Sequence, residues 1–100
     1  MHAIDLDGRV ALVTGAARGL GQGICQALAD AGADVVATDL SDLDETAAAV
    51  KDLGRRVVAR PADVREQASL DEVVRQGVAE LGGLDIVVAN AGISTWSSTV

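Results

Sequence analysis

The sequence predicts an α/β fold, a parallel sheet with helices on both faces that supplies the first four strands and three helices of a doubly wound sheet. Three observations carry this. Short aliphatic runs alternate with stretches of helical spacing. A glycine-rich turn joins the first run to the first helical stretch. Apolar residues make up 49% of the chain and are almost all Ala, Val, Leu and Ile, with no Phe or Tyr and a single aromatic residue, Trp96. Small branched side chains suit buried parallel strands covered by alanine-rich helices.

The strands are expected at Val10–Val13, Val35–Ala37, Val57–Ala59 and Leu84–Ala89. After the glycine turn, Leu20, Ile24, Leu28 and Ala31 fall on one helical face, and Gly32 is the stop. The second helix is expected to open at Ser41, with Asp44 three residues on in a capping-box arrangement. Ala47, Val50 and Leu53 follow on one face, and Gly54 ends it. Leu70, Val73, Val74, Gly77, Val78 and Leu81 define the third helix, which stops at Gly82–Gly83. Short connections and right-handed crossovers make the strands parallel. In the order 3-2-1-4 the fourth strand is an aliphatic edge. Two helices then cover one face, and only the third covers the other.

One hundred residues suffice for one domain. Fifteen acids against eight bases give a net charge of −7, and no basic cluster exceeds the Arg55–Arg56 pair. That argues against a nucleic-acid surface. No apolar run approaches the roughly 20 residues of a membrane span, and the first residues, MHAIDLDG, lack a secretory pattern. A single cysteine, Cys25, forms no internal disulfide and reads as a packed thiol. With one histidine, His2, no metal-ligand spacing exists. The expected setting is the cytoplasm.

Gly15, Gly19 and Gly21 lie between the first strand and first helix. Glycine permits positive φ and close approach of a ligand to the backbone. The helix start offers free N–H groups and a positive dipole end, which favour a pyrophosphate. Asp39 closes the second strand, where a carboxylate accepts both hydroxyls of an adenosine ribose and repels a 2′-phosphate. The GxxxGxG spacing differs from GxGxxG, and no Lys–Ser/Thr follows, so this is not an NTPase phosphate loop.

Thr14-Gly15-x-x-x-Gly19-x-Gly21, Asp39, Asp63–Val64 after the third strand and Asn90-Ala91-Gly92 after the fourth resemble the short-chain dehydrogenases/reductases. The resemblance is to their classical branch and extends from about Leu6 to Ile93. It implies a Rossmann-type domain over residues 1–100, with Gly15, Arg18, Gly19, Leu20 and Gly21 around the adenosine and pyrophosphate. Asp39 would hold the adenine ribose, with Leu40 beside it. Asp63 would bond the adenine amino group, with Val64 packed nearby. Asn90, Ala91 and Gly92 would run along the cofactor, Asn90 serving first to tie backbone groups across strands. The acid at Asp39 implies NAD in preference to NADP. Arg18 is the counter-signal, since a base there can help hold a 2′-phosphate. Asp63 also stands where an N-cap before Arg65–Glu66 would.

The family's activity is hydride transfer between nicotinamide and a carbonyl or alcohol carbon, assisted by a serine, a tyrosine and a lysine four residues after that tyrosine. The chain holds no tyrosine, Lys51 is expected on the second helix, and Ser94, Ser97 and Ser98 lie too near the fourth strand. No catalytic residue is assigned. Trp96 reads as a loop residue. The expectation is the incomplete, amino-terminal, cofactor-binding part of a longer enzyme that interconverts a secondary alcohol and a ketone, homo-oligomeric when full length. The alternative is a non-catalytic nucleotide-binding or interaction module. An extended-branch epimerase, with TGxxGxxG, does not fit the spacing.

Overall fold

The computed structural model describes residues 5–90. Its elements alternate as β1 (Val10–Thr14), α1 (Gly19–Asp30), β2 (Asp34–Asp39), α2 (Asp44–Asp52), β3 (Val57–Pro61), α3 (Gln67–Leu81) and β4 (Ile86–Ala89). The sheet is parallel throughout, in the order β3-β2-β1-β4. Thr14 lies opposite Thr38 on one side and Ala89 on the other, so the carboxyl ends of β2, β1 and β4 finish level. Beyond that edge open the loops that carry the candidate site.

Alternation along the strands sorts the core into two layers. Val13, Val35 and Ala37 meet Cys25 and Ala29 of α1 and Val50 of α2 on one face. Val10, Leu12, Val36 and Val58 meet Val73 and Leu81 of α3 on the other. Helices thus lie two on one face and one on the other, as expected. β1 is buried at every position, whereas β4 is an edge with Val87 61% exposed.

Three helix faces differ from the apolar periodicity. On α1 the buried residues are Gly21, Cys25 and Ala29, while Leu20 is exposed. Small residues face the sheet and let the helix approach, leaving Ile24 and Leu28 to fill its flanks. Cys25 therefore sits at the centre of the contact rather than beside it. α2 begins at Asp44, not Ser41, and its N-cap residue, Leu43, makes no side-chain cap bond. The capping box is absent because the Ser41 N–H donates to Asp39 and the Asp44 N–H to Asp42, making a local turn ahead of the helix. Its buried face is Thr46 and Val50, and Leu53 is exposed at its end. On α3, Val73, Gly77 and Leu81 are buried and Val78 is exposed. A Cβ at Gly77 would meet Val36 at 2.6 Å, so this glycine sets how closely α3 lies on β2. Gly82, at φ 90°, closes α3 as its spacing predicts.

At the opposite end of the sheet, buried Asp34 accepts from the Arg56 backbone and guanidinium and pairs with Arg55 at 3.2 Å. This network fixes the strand ends far from the glycine turn.

Candidate functional site

The β1–α1 turn takes its shape from its glycines. Gly15 and Gly19 have φ of 64° and 60°, values that non-glycine residues rarely adopt. Gly21 is required for a different reason. A Cβ there would run into the Gly15 carbonyl and lie 2.8 Å from Asn90 Nδ2. The same Asn90 Nδ2 donates to the Gly15 oxygen at 3.1 Å, tying the end of β4 to the start of the turn. The backbone-tying role expected for Asn90 is present.

Arg18 occupies the N-cap position of α1, extended at φ −163°, and among the described residues no side chain caps this helix end. The first turn contains no acid. The opening N–H groups of a helix have no partner within it, so an uncapped start ahead of Gly19 and Leu20 presents donors and a positive dipole end to an anion. Arg18 makes no ion pair among the described residues, whereas each of the other arginines there does.

Asp39 faces this turn from the end of β2. Its Oδ2 accepts the Ala17 N–H and its Oδ1 the Ser41 N–H, each at 3.0 Å. A carboxylate has about four acceptor positions, so both oxygens keep capacity for further donors. Burial alone would raise its pKa. The N–H groups of Ser41, Ala17 and Leu40 and the charge of Arg18 outweigh that and hold it below the ordinary carboxylate value. Asp39 is therefore an anion at neutral pH.

Leu20 and Leu40 flank the turn, each 67% exposed. Beside Asp39 an open depression of about 330 Å³ is lined by Leu40, Ser41, Asp42, Leu43, Asp44, Ala59 and Pro61. Asp63 and Val64 lie on the turn ahead of α3. Asp63 does not cap that helix, whose N-cap is Glu66 with no side-chain bond. Instead its carboxylate accepts from the Arg65 N–H and from Nε and Nη2 of the Arg65 guanidinium. Those bonds bring its pKa down to about 2. Ala91, Gly92, Ser94, Trp96, Ser97 and Ser98, like His2, lie outside the described residues.

Sequence reasoning passed over Thr46. Its fully buried hydroxyl lies 2.7 Å from the Ala16 oxygen and 3.2 Å from the Ala17 oxygen. A polar residue at a helix position facing the sheet was the available signal. Among the described residues no group of His, Cys, Asp and Glu is arranged to hold a metal, and no helix is long and apolar enough to cross a membrane.

Fold and turn define a Rossmann-type α/β unit with a glycine-rich strand-to-helix junction. The sequence profile of the short chain dehydrogenases matches residues 9–100, and the chain belongs to that family. It is 46% identical over 107 residues to an uncharacterised NAD-dependent oxidoreductase of Mycobacterium tuberculosis, covering 92% of this chain and 39% of that protein. A 2-dehydro-3-deoxy-D-gluconate 5-dehydrogenase of Escherichia coli is 42% identical over 93 residues, covering 93% of this chain and 37% of that protein. Among solved structures, carveol dehydrogenase from Mycobacterium avium in complex with NAD superposes with a TM-score of 0.86 at 42% identity. That match covers 90% of this chain and 38% of the other. A short chain dehydrogenase from Mycobacterium paratuberculosis bound to NAD gives 0.85 at 43% identity, covering 88% and 38%. The chain spans well under half the length of these relatives.

Proposed function

We propose that this chain is the NAD-binding part of an oxidoreductase that interconverts a secondary alcohol and a ketone. The observation that carries the reading is the Asp39 carboxylate bonded to the Ala17 N–H, beside an uncapped helix start. Bound NAD supplies the hydride acceptor and, when reduced, the donor. The chain's own residues bind and orient it. Gly15 and Gly19 shape the turn, the N–H groups of Gly19, Leu20 and Gly21 and the Arg18 guanidinium meet the pyrophosphate, and Asp39 accepts from the adenine ribose. Leu40 and Val64 pack against the adenosine, and Asp63 accepts from the adenine amino group. By the family resemblance Asn90, Ala91 and Gly92 would run along the cofactor.

Asp39 selects NAD over NADP because a 2′-phosphate would bring its charge against a carboxylate already committed to the anionic form. Arg18 attracts phosphate of either kind, while the repulsion from Asp39 falls only on the 2′-phosphate. The names of the relatives, a sugar-acid dehydrogenase and a carveol dehydrogenase among them, support a small-molecule alcohol or ketone as substrate. The proposal extends to a cytoplasmic homo-oligomer and assigns no catalytic residue within this chain. The test is a screen of secondary alcohols with NAD on the full-length protein, following the absorbance of the reduced nicotinamide. Turnover of at least one alcohol is expected. NAD binding without turnover across sugar acids, terpenols and hydroxyacyl compounds would favour a non-catalytic nucleotide-binding module.

A further inference from the structure

The two residues that follow Gly15 within the glycine turn have their backbone groups claimed from outside it. The Ala16 N–H donates to the Thr38 oxygen at 3.1 Å, and the Ala17 N–H donates to Asp39 Oδ2 at 3.0 Å. Both carbonyls face the same hydroxyl, that of Thr46 on α2, at 2.7 Å for Ala16 and 3.2 Å for Ala17. A hydroxyl has one proton, so the Ala16 oxygen is its principal acceptor and the Ala17 oxygen shares it at longer range. Ala16 and Thr46 are fully buried and Ala17 is 5% exposed, so water cannot replace these bonds.

A threonine within a helix ordinarily turns its hydroxyl to the carbonyl one turn back. Thr46 instead reaches from α2 to the β1–α1 turn, thirty residues earlier in the sequence. The next residues along the chain are Arg18, Gly19 and Leu20, at the uncapped start of α1.

We infer that Thr46 is a positioning residue for the nucleotide. By holding the Ala16–Ala17 peptides against Asp39, it fixes the direction in which Arg18 and the first N–H groups of α1 point. The inference rests on the proposed nucleotide-binding reading and assigns a role to a side chain outside the glycine, Asp39, Asp63 and Asn90 motifs. The hydroxyl touches no ligand and acts through the turn.

The test compares Thr46→Val, which keeps the shape and removes the donor, with Thr46→Ser, which keeps the donor. Thr46→Ala serves as a second donor-free variant should valine not fold. Val73→Ala, in the core on the opposite face, controls for lost stability alone. Two quantities are read on the full-length protein: NAD affinity by calorimetry, and hydrogen exchange at the Ala16 and Ala17 amides without ligand. The donor-free variants are expected to raise the Kd for NAD about tenfold and to speed exchange at both amides, while Thr46→Ser stays near wild type. If they match Val73→Ala in both readouts once stability is allowed for, Thr46 merely fills the core and the inference is overturned. Should wild type bind no NAD, the nucleotide reading fails by itself, and the exchange comparison alone then decides whether Thr46 sets the turn.

Discussion

Asn90 and Gly15 stand 75 residues apart in the sequence and 3.1 Å apart in space, the Asn90 amide donating to the Gly15 carbonyl. Gly21 fits against both, and its missing Cβ leaves the room they use. One glycine of the motif thus serves the joint between strands as much as any ligand.

This joint gives the first prediction. Asn90→Ala removes one partly buried bond and should cost about 1 kcal/mol. Gly21→Ala forces a methyl group into the Gly15 carbonyl and should cost about 2–3 kcal/mol. Combining them should not rescue Gly21→Ala, because its harsher clash is with backbone rather than with the Asn90 amide. Urea unfolding of the three variants checks this.

The second prediction concerns pH. Asp39 is held below the ordinary carboxylate value of 3.8. A group whose pKa is lower in the folded state contributes stability above its unfolded pKa and loses it as pH falls through the folded one. The advantage of wild type over Asp39→Asn should therefore be complete at neutral pH and shrink as pH drops below about 4. Thermal melts across that range read it directly. A gap that widens in acid would mean the carboxyl is not stabilised as an anion.

Thr38 supplies the third. Its hydroxyl is fully buried on β2, next to Asp39 in sequence, and has no hydrogen-bond partner among the described residues. Burying an unsatisfied hydroxyl costs free energy that an apolar group of the same shape does not incur. Thr38→Val should therefore raise stability by about 1 kcal/mol, measured as an upward shift of the thermal midpoint. The contrast with Thr46 is instructive, since the same replacement there removes a donor from two carbonyls.

Cys25 is the fourth. It is fully buried, and burial pushes its thiol up to about 12. The thiolate is the reactive form, so Cys25 should resist iodoacetamide at pH 8 while the protein is folded and react once it unfolds in urea. Mass spectrometry of the two samples distinguishes the cases.

The strand order and the layering were legible in the sequence because they follow from periodicity. Aliphatic runs such as Val10–Val13 belong to strands buried on both faces, and the stop glycines 32 and 82 lie at helix ends with φ of 109° and 90°. Helix faces were less legible. Apolar spacing selected Leu20 and Ala31 on α1, but close packing on a sheet rewards small residues, and Gly21, Cys25 and Ala29 face inward. The start of α2 was placed at Ser41 because serine caps helices well. Asp39, two residues earlier, claims the Ser41 N–H in a local turn that competes with the cap. Thr46 carried one signal, a hydroxyl one turn ahead of Val50 on the buried face of α2, but its partners lie about thirty residues earlier and could not be read from its neighbours. Asp63 was found as a position, but its engagement by Arg65 depends on a turn that capping rules read as a helix start.

The central claim is that Asp39 and the uncapped start of α1 hold NAD in preference to NADP. The most direct measurement is calorimetric titration of the full-length protein with each dinucleotide at neutral pH and fixed ionic strength. NAD should bind at least about tenfold more tightly than NADP, one like-charge contact being worth about 1.4 kcal/mol or more, and Asp39→Asn should narrow that ratio. Equal affinity for the two, tighter binding of NADP, or binding of neither would contradict the account.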